Sequence, residues 1–213
     1  MNIKRYIATI ILAIVLLLNF SCTDWLDVKP VDRMSEDQLY STEAGFRQAL
    51  NGIYVELNHA DLYGDELLVN TVEILAQRYK FSSMGTLTNQ YHLAEFDYTT
   101  DYAKKCGSRI WEKAYALIAN VNKLLKNADS HKDLFTGDSY DLITGEAYAL
   151  RAFLHFDLLR LFGPVYKTHK EDKSICYNTQ FSLSGSDLLP ASKVMEYVIA
   201  DLKEAEDRLA KDP

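Results

Sequence analysis

The run GEAYALRAFLHFDLLRLFG, Gly145 to Gly163, gathers Glu146, Arg151, His155, Asp157 and Arg160. A histidine near a carboxylate and a guanidinium has the parts for general acid–base chemistry. Helical geometry argues against it here. Each helical residue turns about 100°, so His155 and Asp157 point about 200° apart and cannot orient one another. Asp157 and Arg160, three residues apart, are expected to form a surface or interface ion pair. Ala149 with Phe153 and Ala152 with Phe156 set small residues one turn from large ones, a pattern suited to tight helix packing. The run reads as scaffold.

Other reactive patterns are sparse. His59, His92, His131, His155 and His169 form no metal-ligand spacing, and the three cysteines form no C-x-x-C pair. No cofactor or metal is expected. Glycine-rich phosphate loops and a G-x-S-x-G nucleophile elbow are absent. Carboxylates are plentiful, but no pair is singled out for glycoside hydrolysis. The net charge is −7 and no basic cluster occurs, so nucleic acid is not an expected partner. Five of the 14 tyrosines fall between Tyr63 and Tyr102 inclusive. Aromatic faces can stack on the C–H face of a sugar while a tyrosine hydroxyl makes polar contacts. Tyr79 and Tyr91 are the candidate ligand contacts, set against ordinary packing of the segment.

Cys22 is a separate case. Lys4 and Arg5 precede an uncharged run, Tyr6 to Phe20, which is shorter than the roughly 20 residues a spanning helix needs. A basic start, a short apolar stretch and Ser21 at its boundary have the form of a cleaved secretory signal. With Cys22 directly after Ser21, the site looks like a bacterial lipobox, in which the cysteine is acylated; Asn19 stands where leucine is usual. Residues 1–21 are expected to be the signal, Cys22 the lipid attachment, and 22–34 a tether. An exported setting permits a disulfide, but Cys106 and Cys176 are expected to be separate buried thiols.

The elements that carry these residues are helical. Ser35-Glu36-Asp37-Gln38 has the form of a capping box, and Thr42 starts a helix whose stripe is Phe46, Leu50, Ile53 and Leu57. Glu66–Tyr79 is expected to be a second, well-buried helix. Lys80–Thr100 reads as a long ordered loop, the kind of segment that tends to be functional. Helices are predicted over Tyr102–Ala128, Tyr140–Phe162 and Pro190–Leu209, the first two as an antiparallel hairpin turning near Gly137. Gly163-Pro164 stops the middle one, because glycine accepts a positive φ and proline cannot continue the hydrogen-bond ladder, and Tyr166–Leu189 reads as polar and irregular. No strand-length alternation or βαβ pattern occurs.

In this order, DWLDVKP, TEAGFRQALNGIYVEL, WEKAYALIANVNKLL, GEAYALRAFLHFDLLRLFG and VMEYVIADLKEAEDRL resemble the N-terminal half of the SusD/RagB family of outer-membrane nutrient-binding lipoproteins. The specific parts are Trp111, Tyr115, Ile118 and Asn122, and the L-R-A-x3-F-D-L-x-R-x-F-G run from Leu150 to Gly163. The order Gly163-Pro164-Val165 departs from the family's usual exit from that helix.

The resemblance implies an all-α fold of tetratricopeptide-like hairpins with long irregular loops. Residues 35–213 would be its N-terminal helical domain, incomplete at the C-terminus, since members are roughly twice as long. It also implies a non-enzymatic, lipid-anchored protein on the outside of the outer membrane. Such a protein binds oligosaccharide or another nutrient and delivers it to a TonB-dependent SusC-like transporter. Two alternatives stand beside it: a membrane-anchored helical-repeat interaction scaffold, and an exported hydrolase.

Overall fold

Thr42 opens the first substantial helix of the chain by accepting the Gly45 N–H on its side-chain oxygen at 3.2 Å, which satisfies one donor left free at a helix start. The computed structural model describes residues 35–82, 85, 88–181 and 186–210. The signal, the tether and Cys22 lie outside the described residues. A single turn, α1 (Glu36–Leu39), precedes α2 (Glu43–Leu57); α3 (Thr71–Leu75) and α4 (Thr88–Ala94) are short. The long helices are α5 (Asp101–Ser130), α6 (Ser139–Phe162) and α8 (Ala191–Leu209), with α7 (Tyr166–His169) a single turn. Among the described residues there is no strand, only an isolated bridge between Lys173 and Pro190.

Sustained 3.6-residue periodicity explains why the long helices form where they do. Phe46, Leu50 and Ile53 of α2 share one buried core with Ile118, Val121 and Leu124 of α5 and with Ile143, Ala147 and Leu154 of α6. α5 and α6 are an antiparallel hairpin. A 3₁₀ turn, Lys132–Leu134, and Gly137 at φ +54 make the reversal. α8 runs antiparallel to α6 and buries Val194, Val198 and Ala205. The two helices touch closely at Gly145, where a Cβ would stand 2.9 Å from Leu209 Cγ and 3.0 Å from Arg208 Cβ. Only a residue without a side chain allows that approach.

Five expectations are corrected. First, Glu66–Tyr79 is not one helix. Main-chain turns such as Leu67 N to Leu62 O (2.8 Å) occupy its start, only Thr71–Leu75 is helical, and Leu68 is exposed. Second, the Lys80–Thr100 segment contains α4, a helix too short to show a repeating stripe, which buries Leu93 and Ala94. Third, Phe153 and Phe156 are on the outer face of α6, 43% and 37% exposed, and do not pack between helices. Fourth, Gly163 ends α6 with φ −84, so no left-handed conformation is involved. Its Cβ would fall 2.4 Å from Leu159 O, so close approach is the reason for glycine. Fifth, the segment before α8 is irregular but not simply polar surface, since Ile175 is fully buried and Tyr177 nearly so.

Candidate functional site

His155 is enclosed by α6 and the irregular segment before α8, and it is fully buried. Its Nδ1 lies 2.8 Å from Arg151 O, and its Nε2 accepts the Asn178 N–H at 3.0 Å. Nε2 can accept only if it carries no proton, so Nδ1 holds the hydrogen and donates it to Arg151 O. Burial pushes the imidazole pKa down to about 4, against a smaller upward pull from the Arg151 carbonyl. The ring is therefore neutral and engaged on both sides.

Around it stands a network that absorbs most of the sequence motifs. Arg151 donates to both oxygens of Asp201 and, through Nη1, to Asn122 Oδ1 at 2.9 Å. Tyr177 donates to Asp201 at 2.5 Å. Asn122 Nδ2 donates to Asn178 O and the Tyr115 hydroxyl to Cys176 O, each at 2.8 Å. Tyr115, Asn122 and His155 thus hold one irregular stretch, residues 176–178, against α5 and α6, and Arg151 fixes Asn122 and, through Asp201, Tyr177. Asp157 and Arg160 form the expected ion pair at 2.6 Å, and Asp157 also accepts from the Tyr63 hydroxyl. These groups act as a structural clamp. Cys106 is buried, Cys176 half-buried, and both are free thiols.

The segment joining α2 to α5 offers a different surface. Glu66, buried at its base, accepts from Thr71 Oγ1 and Arg109 Nη2, each at 2.5 Å, and from Asn70 at 3.2 Å. Gln77 takes a positive φ of 59, and its Nε2 donates to Ala94 O at 2.6 Å. These bonds tie α3, α4 and α5 together. On the outside, Asn70, Ile74, Tyr79, Lys80, Phe81 and Gln90 line an open hollow of about 390 Å³.

Tyr79 is 45% exposed, and its hydroxyl donates to Val69 O at 3.1 Å. Its ring meets Phe81 edge-on at 6.0 Å. The hollow therefore combines held aromatic rings with two amides and an ammonium, groups able to meet the apolar and polar sides of a polyhydroxylated ligand. Tyr91 lies on α4 next to Gln90, half-buried and edge-on to His92, and is not among the residues lining the hollow. Phe81, Asn70 and Gln90 carry no pattern in the sequence that marks them as partners of Tyr79. Among the described residues no group of three or more His, Cys, Asp or Glu is placed to hold a metal ion.

The helices and their hairpin pairing define an all-α scaffold of tetratricopeptide type. The chain belongs to the SusD-like family: the family model described as starch-binding and associating with the outer membrane matches residues 24–213. SusD-like protein P2 of Formosa agariphila is 27% identical over 208 residues, covering 97% of this chain and 38% of the relative. SusD-like protein P38 of the same organism is 24% identical over 196 residues, covering 89% and 34%. The chain thus spans well under half the length of these relatives.

Solved structures share the fold. A SusD superfamily protein from Bacteroides fragilis superposes with a TM-score of 0.65 at 18% identity, covering 78% of this chain and 39% of that one. A SusD-like carbohydrate-binding protein from Bacteroides vulgatus gives 0.64 at 22% identity, covering 78% and 35%.

Proposed function

We propose that the chain acts as part of a non-enzymatic surface lipoprotein that captures oligosaccharide and passes it to a TonB-dependent SusC-like transporter. In this reading Cys22 carries the lipid and Tyr79 is a direct ligand contact, and Tyr91, outside the hollow, would touch only a ligand that extends beyond it along α4. The observation that carries it is the Tyr79–Phe81 ring pair flanked by the Asn70 and Gln90 amides. Family membership and the carbohydrate-binding relative from Bacteroides vulgatus support the ligand class. The absence of catalysis in this reading rests on His155, Asp157 and Arg151, which are all committed to structural partners.

The test is calorimetric titration of the chain with malto-oligosaccharides and a panel of other glycans. Tyr79→Ala should weaken binding by about fivefold, the loss of on the order of 1 kcal/mol of aromatic contact, with the melting temperature unchanged. Undiminished binding by the variant would remove Tyr79 from the site, and no binding by the parent would count against the reading.

A second reading, a membrane-anchored interaction scaffold, draws on Phe153 and Phe156 of α6 and on Ile199 and Leu202 of α8, all exposed. Affinity capture separates the two, because the first requires a β-barrel transporter as main partner.

A further inference from the structure

A second cavity, of about 300 Å³, lies between α3, α4, α5 and the C-terminal end of α6, and shares no lining residue with the Tyr79 hollow. Its wall is mainly apolar, formed by Leu75, Leu93, Ile110, Leu161 and Phe162. Phe162 is held edge-on against Trp111, with ring centroids 5.2 Å apart, which fixes that side. The volume is at the lower end of the range for small-molecule sites.

Two residues on one face of α5 give the cavity its character. Gly107 sits inside a 30-residue helix, where alanine would favour the helix more. Packing does not require glycine there. A Cβ would meet only Phe162 Cε1, at 3.6 Å, an ordinary contact. What glycine does is leave the cavity open, since a larger side chain at 107 would enter it. One turn earlier stands Lys104, the only charged residue among the described residues lining the cavity, and it is exposed. Its ammonium makes no hydrogen bond or close ion pair among the described residues, and the carboxylate that feels its charge, Asp97, is already bonded to Thr99. An apolar chamber whose one lining charge is a cation, with no carboxylate in its wall among the described residues, matches a molecule with an apolar body and an anionic head.

We propose that this cavity binds a small amphiphilic carboxylate, with its ring or short chain among Leu75, Leu93, Ile110 and Phe162 and its carboxylate at Lys104. This site is independent of the oligosaccharide reading and goes beyond it.

The experiment is calorimetric titration of the full chain with 4-phenylbutyrate, and with 4-phenyl-1-butanol as the neutral counterpart. The parent should bind 4-phenylbutyrate one-to-one. Lys104→Gln should weaken that binding at least about fivefold while leaving the alcohol within about twofold. Gly107→Leu should abolish binding of both probes without lowering the melting temperature. Failure of the parent to bind 4-phenylbutyrate would overturn the proposal. So would equal affinity in Lys104→Gln, or full binding by a folded Gly107→Leu. Should Gly107→Leu fail to fold, the exposed Lys104→Gln variant decides alone.

Discussion

Arg151 and Asp201, 50 positions apart in the chain, meet as a two-bond pair: Nε to Oδ2 at 2.6 Å and Nη2 to Oδ1 at 2.7 Å. Their side chains are only 7% and 11% exposed. The pair joins α6 to α8; Tyr177 donates a further bond to Asp201, and Asn122 Oδ1 and Thr179 O accept from Arg151 Nη1. A buried guanidinium whose donors are satisfied is tolerated; one stripped of its carboxylate is not.

Removing either partner should therefore unfold the chain readily. Arg151→Ala or Asp201→Ala is expected to destabilise by about 3–5 kcal/mol, measured by urea denaturation. Replacing both with apolar residues of similar volume, Arg151→Met with Asp201→Leu, should be much less harmful than the sum of the single changes. Single variants within about 1 kcal/mol of the parent would mean that the pair behaves as a surface ion pair.

His155 gives the fold an acid-sensitive element. Its folded pKa, about 4, lies below the ordinary 6.5 because burial disfavours the imidazolium. The sign follows from proton binding. Above pH 6.5 both states are neutral and this group contributes no slope. Between 6.5 and 4 the unfolded chain takes up a proton that the native chain refuses, so stability falls as pH falls, by roughly 3 kcal/mol at most. Protonation would also remove Nε2 as acceptor for Asn178 N–H. Unfolding free energies at pH 7, 5.5 and 4.5 should drop more steeply for the parent than for His155→Gln. Parallel curves would show that His155 does not titrate this way.

The long helices were legible because an apolar stripe repeated over several turns admits one periodicity. α3 and α4, one or two turns each, offer no repeat to read, and their position depends on Glu66 and Gln77 bonds to distant groups. The spacing of Tyr115, Asn122, Arg151 and His155 was visible, but their shared object was not. Residues 176–178 carry no periodic signal, and they reach the clamp only through tertiary folding. Phe153 and Phe156 were misplaced because a small–large alternation looks the same whether its helix face is covered or open. Tyr79 could be nominated by type and by the segment it sits in. Its partners Asn70 and Gln90 come from two different helical turns, brought together by bonds that a linear pattern does not encode.

Gly107 yields a prediction that is independent of any ligand. With no backbone or packing need for glycine at this helical position, Gly107→Ala should raise stability by about 0.5–1 kcal/mol. That corresponds to a melting temperature about 1–4 °C higher for a chain of this size. A scanning calorimeter would register it directly. A fall in melting temperature would reveal a steric demand at Gly107 that the 3.6 Å approach to Phe162 does not show.

Cys22 carries the prediction about location. Two acyl chains, or one chain with a second signal, are needed for stable membrane attachment, and the apolar run before Cys22 is too short to span a bilayer well. In a bacterial host the parent should fractionate with membranes and incorporate labelled palmitate. Cys22→Ala should lose the label and leave the membrane fraction, because nothing then replaces the lipid. A variant that stays in the membrane at unprocessed mass would show the leader itself acting as the anchor. The Ser21–Cys22 boundary would then have no role in attachment. Release with loss of label would assign attachment to the thiol alone, and would leave residues 23–34 as the tether between lipid and α1.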